Sequence, residues 1–72
     1  MSQYEYWEHS EGEKYLIRLD AANLITGVCG PMRQRDIPTA NRHHFDFDAQ
    51  PLRTAWVQTH QAEFHKIGTS GV

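Results

Sequence analysis

The sequence predicts an α+β domain: a three- to four-stranded antiparallel β-meander followed by one C-terminal helix packed on the sheet. Three observations carry that prediction. Tyr15, Ile17 and Leu19 alternate with Leu16, Arg18 and Asp20, a period of two. Turn chemistry recurs at residues 10–13, 20–23 and 30–31. In the last third, Leu52, Trp56, Phe64 and Ile67 fall on one broad face of a helix, with Val57 at its margin.

The first strand is expected over residues 3–9, where Tyr4, Tyr6 and Trp7 favour extended backbone. Ser10-Glu11-Gly12-Glu13 supplies a turn, with Gly12 free to take positive φ. The second strand is expected over 14–20 and the third over 24–29, joined by Asp20-Ala21-Ala22-Asn23 and stopped by Gly30-Pro31. A long polar loop follows at 31–43, with Pro38 cutting any extended helix. Phe45 and Phe47 alternate with Asp46 and Asp48, so 44–47 reads either as a short fourth strand or as an extended segment pinning two rings to the core. The helix is expected over 49–67, with Asp48 capping its start, Pro51 in the first turn, His65 and Lys66 at the negative end of the dipole, and Gly68 ending it. Residues 68–72 form the tail.

At 72 residues there is room for one domain, and folding at this size hides only about 60% of the unfolded chain's surface. Eight aromatics therefore matter to the core. The net charge is −2 and unevenly spread. In residues 1–30, Glu5, Glu8, Glu11, Glu13 and Asp20 stand against Lys14 and Arg18, a balance of −3. In residues 31–72, Arg33, Arg35, Arg42, Arg53 and Lys66 stand against Asp36, Asp46, Asp48 and Glu63, a balance of +1. Neither half has the basic excess that nucleic acid or an anionic membrane rewards. No apolar run approaches the length that spans a bilayer, and the N-terminus has no signal-like region. Cys29 is the only cysteine, so no disulfide can form within the chain. A cytoplasmic protein is expected.

Five histidines call for a metal test. His43, His44 and Asp46 offer nitrogen and oxygen donors close together, but adjacent residues of a strand point to opposite faces. His60 and His65 are five apart, about 140° around a helix. Neither pair has the spacing that suits zinc, so no metal or other cofactor is expected. His60 falls within the apolar stripe and reads as a half-buried histidine with one nitrogen hydrogen-bonded. Catalysis is not expected either. Cys29 lies in a strand between small residues, where a thiol is inert; Ser10 and His9 lack a third partner; Glu11 and Glu13 flank a turn glycine and read as solvated.

Binding has better candidates. Tyr4 and Tyr6 point to one face of the first strand and Trp7 to the other, and one helix covers only one face of a sheet. Some of this aromatic surface should remain near solvent, and Tyr and Trp are common anchors of protein interfaces. Arg33, Arg35 and Arg42 form the local cationic concentration and would steer an acidic surface.

Tyr6-Trp7-Glu8-His9, the strand Tyr15-Leu16-Ile17-Arg18-Leu19 and the turn Thr26-Gly27-Val28-Cys29-Gly30-Pro31 resemble short single-domain cyanobacterial proteins of unassigned role. The resemblance covers about the first half of the chain and brings no catalytic motif. Some small cyanobacterial proteins regulate a larger enzyme or complex by docking on it, so the resemblance implies a regulator. The expected function is thus a non-enzymatic adaptor, inhibitor or accessory subunit bound to a larger protein or complex. The alternative is an anion- or metal-binding domain using the Arg/His-rich loop 33–44, assembled as a homo-oligomer.

Overall fold

Tyr15, Leu16 and Ile17 are consecutive in sequence and all three are fully buried. Successive side chains of a strand point to opposite faces, so a sheet covered on one side cannot bury all three. The computed structural model describes residues 2–33 and 45–69 and shows how both faces are covered.

Four strands form one antiparallel sheet: β1 (Gln3–His9), β2 (Lys14–Leu19), β3 (Ile25–Met32) and β4 (Phe64–Thr69), in the spatial order β3-β2-β1-β4. One helix, α1 (Pro51–Thr59), packs on the sheet, so the expected α+β architecture holds. The β1–β2 turn is closed by His9 N–H donating to Glu13 O at 2.7 Å and Gly12 N–H to His9 O at 2.8 Å, with Gly12 at φ +96°. In the β2–β3 turn, Asp20 Oδ1 accepts from the N–H groups of Ala22 and Leu24. Asn23 takes positive φ there, a conformation Asn tolerates better than most residues.

Tyr15, Ile17, Leu19, Ile25, Val28 and Val57 form the core beneath α1, with Trp7, Trp56 and Phe64 packed around it. On the opposite face Tyr6, Leu16, Cys29 and Phe47 form a second core, with Tyr4, Met32 and Phe45 beside it. The cover here is an irregular segment that carries Phe45 and Phe47: residues 45–47 form no strand, and Phe47 opens a turn in which Ala49 N–H donates to Asp46 O at 3.4 Å. Gly27 permits the crossing: a Cβ there would stand 2.7 Å from both Cβ and O of Phe47. Asp48 then pairs with Arg18 at 3.0 Å, and the chain passes β3 to begin α1 on the other face.

Several expected boundaries move. The third strand runs on through Gly30-Pro31 to Met32. Asp48, engaged with Arg18, does not cap α1; Gln50 holds the N-cap position without a side-chain bond, and Pro51 opens the first turn as expected. The helix expected to reach residue 67 ends at Thr59. His60 leaves helical geometry and its N–H closes on Val57 O at 3.1 Å, a single 3₁₀ turn spans Gln61–Glu63, and Phe64–Thr69 become β4. The physical reason lies in β1: without β4 its second edge would be unpaired, and Phe64 and Ile67 suit a strand at least as well as a helix. His65 and Lys66, expected at a helix end, instead reach Glu8 and Glu5 of β1 at 3.2 and 3.4 Å. Gly68 lies within β4 opposite Tyr6.

Shortening the helix also changes its buried face. Val57 is fully buried, whereas Leu52, expected in the core, is 86% exposed. Five residues apart, the two side chains stand about 140° apart around the axis, so a helix seated on Val57 turns Leu52 outward. Among the described residues no helix is long and apolar enough to cross a membrane.

Candidate functional site

The aromatics of β1 take the two faces that alternation assigns them, but both faces are covered. Tyr6 is 7% exposed and belongs to the core, which removes it as an exposed anchor. Tyr4 is half-buried against Phe47, with ring centroids 5.2 Å apart. Trp7 is half-buried against Phe64 and donates Nε1–H to Glu5 Oε1 at 2.9 Å. Arg33 is exposed at the end of β3, and Asp46 is exposed and accepts from Asp48 N–H. Arg35, Arg42, His43 and His44 lie outside the described residues, as does most of the 33–44 loop.

An open apolar surface lies on α1. Ala49, Gln50, Pro51, Leu52, Arg53 and Trp56 line a shallow groove of about 550 Å³. Pro51 fixes the first turn, and the seating of Val57 aims Leu52 at solvent. Trp56 is held on its inner side by Phe64 and stacked on His60 at 4.8 Å, which leaves its other edge to the groove. His60 is half-buried with Nδ1 2.7 Å from Trp56 O, matching the expected satisfied histidine. Arg53 donates Nη1–H to Tyr15 OH at 3.2 Å and lies over the Tyr15 ring. A guanidinium carries five N–H donors, so this contact occupies only part of it. Among the described residues, no carboxylate stands within ion-pair distance of Arg53. Burial pushes the Tyr15 hydroxyl above its ordinary pKa, with Arg53 opposing the shift. Tyr15 therefore stays a neutral prop for the guanidinium.

A second cluster lies at the β1–β2 turn. His9 is 5% exposed, packed against Trp56 and Phe64 with ring centroids 5.3 and 4.8 Å away. Its Nε2 stands 2.7 Å from Glu63 Oε1, and its Nδ1 accepts from Glu11 N–H at 3.3 Å. Those contacts place the ring proton on Nε2, donated to Glu63. Glu13 Oε1 lies 3.6 Å from Nδ1. His9, Glu11 and Glu13 each offer one donor atom, all within 4.8 Å of one another. His9, Glu11 and Glu13 are near neighbours in sequence, but nothing there gives warning of Glu63, which is 54 residues from His9 and is brought to it by the β1–β4 pairing.

Cys29 is buried, and burial pushes its thiol up to about 11, with the charge of Asp46 adding and Arg18 opposing. At neutral pH it is a protonated thiol.

No family model matches the chain. No curated protein and no solved structure matches it either.

Proposed function

We propose that the protein is a non-enzymatic docking domain of the cytoplasm, an adaptor, inhibitor or accessory subunit that binds a larger protein through the outer side of α1. The observation that carries this reading is Leu52, 86% exposed beside Trp56 in an open groove. A small domain that can bury little surface gains nothing in stability from a leucine placed there. Exposed apolar surface beside an aromatic and an arginine is the composition of interface anchors. Arg53, propped on Tyr15 with donors to spare, gives the groove a polarity. The segment it fits presents an apolar side chain with a carboxylate beside it. Exposed Arg33 would add to the attraction for an acidic surface. The lone protonated thiol of Cys29 suits a reducing compartment.

The test compares the full chain with Leu52→Asp and Arg53→Glu. Each is used to capture proteins from the native host, and the captured protein is purified for direct binding. The parent should bind one larger protein. Leu52→Asp should weaken that binding by about 2 kcal/mol or more, and Arg53→Glu should slow association. Equal binding by folded Leu52→Asp overturns the reading. So does sedimentation showing that the groove is filled by a second copy of this chain.

A further inference from the structure

We propose that the β1–β2 turn is a divalent-cation site for zinc, with His9 Nδ1 and one carboxylate oxygen each from Glu11 and Glu13 as ligands. Three observations converge on it. The first is the ring of His9, which is buried and packed against Trp56 and Phe64. The second is its tautomer. Glu63, from a different element, accepts the hydrogen bond of Nε2–H at 2.7 Å, and Glu11 N–H donates to Nδ1, so the Nδ1 lone pair is on the side of Glu11 and Glu13. A histidine bound to metal ordinarily donates its other ring N–H to a carboxylate in this way, which fixes the ring and raises its basicity.

The third is a distance. Glu13 Oε1 and His9 Nδ1 are 3.6 Å apart, too far for a hydrogen bond. Two ligands each about 2.1 Å from a tetrahedral ion stand roughly 3.4 Å apart, so the gap matches an edge of a coordination shell. Nδ1 has only the 3.3 Å contact from Glu11 N–H to give up, itself at the weak end of the range. The turn is held in place by the His9–Glu13 and Gly12–His9 backbone bonds, while Glu11 is exposed and Glu13 half-exposed. An ion can therefore enter from solvent, and water can complete its shell. One imidazole with two carboxylates suits a borderline ion such as Zn²⁺ and not Ca²⁺ or Mg²⁺, which take oxygen ligands. The expectation of no metal site rested on the pairs His43/His44 and His60/His65; His9 belongs to neither.

The test titrates the chelator-treated full chain with ZnCl₂, followed by calorimetry and by the histidine ring signals in NMR. One ion per chain is expected, perturbing the His9 ring before the other four. Glu11→Gln and Glu13→Gln touch only the solvent side of the turn and should fold as the parent does. Each should weaken zinc binding about tenfold or more. Glu63→Gln, which leaves the ligands in place, should weaken it less than the loss of either ligand. Zinc binding unchanged in the Glu11→Gln, Glu13→Gln double variant overturns the site, and so does binding that first perturbs another histidine. Absence of binding in the parent overturns it as well.

Discussion

Both faces of the sheet are covered, but by different means. On one, a helix brings Val57 into the cluster of Tyr15, Ile17 and Val28; on the other, a short irregular segment brings Phe45 and Phe47 to Leu16, Cys29 and Tyr6. The helical cover is regular and carries its own backbone hydrogen bonds. The irregular cover is tied to the sheet by side chains, through Phe47 in the core, Arg18 over the Phe47 ring at 5.5 Å, and the Arg18–Asp48 pair. A sheet can thus be closed on both sides with one helix, provided an edge strand offers a glycine where the chain must cross. The consequence for function is direct. With both faces of the sheet occupied, β1 has little aromatic surface to offer a partner, and among the described residues the exposed large hydrophobics are Leu52 on the back of the helix, Leu24 in the β2–β3 turn and Ile67 in β4.

Two neighbours on β2 separate the contributions of the two faces. Leu16→Ala and Ile17→Ala each empty one face, and each should cost about 2–5 kcal/mol, measured by urea unfolding. A near-neutral Leu16→Ala would show that the Phe45–Phe47 segment does not cover its face. The next effect is smaller and specific to that segment. Gly27→Ala puts a methyl against Phe47 and should cost about 1–3 kcal/mol through the forced shift.

The smallest effect is chemical. Burial raises the Cys29 thiol in the folded chain from an ordinary value near 9.0 to about 11, so the fold favours the protonated form. That contribution to stability is complete below pH 9.0 and is lost as the pH rises through about 11. At pH 8 a thiol reagent should label native Cys29 far more slowly than the unfolded chain, and Gly27→Ala should speed the labelling. Labelling at the unfolded rate in the native protein would mean that the second face is open.

The strands and their turns were legible because local chemistry decides them. Gly12 at positive φ and Asp20 gathering the amides of its turn need no distant partner. The expectation that one helix leaves a face of the sheet near solvent was wrong, and the run Tyr15-Leu16-Ile17 carried the contrary signal, since consecutive apolar residues mark a strand covered on both sides. The end of the helix was not legible. Nothing at Thr59 or His60 is a strong stop signal, and the apolar spacing of Leu52, Trp56 and Phe64 reads as one helix across the break. What ends the helix is the unpaired edge of β1, a demand made by residues more than fifty positions earlier. The His9–Glu63 contact was hidden for the same reason, as it exists only once β4 has taken that edge.

The proposed docking surface and the seating of the helix both depend on which way Leu52 points, and one substitution tests that. In the urea unfolding of Leu52→Asp, an outward Leu52 keeps the free energy within about 0.5 kcal/mol of the parent, as for other surface changes. A loss of several kcal/mol, the cost of placing an unpaired charge in a core, would contradict it and return Leu52 to the interior.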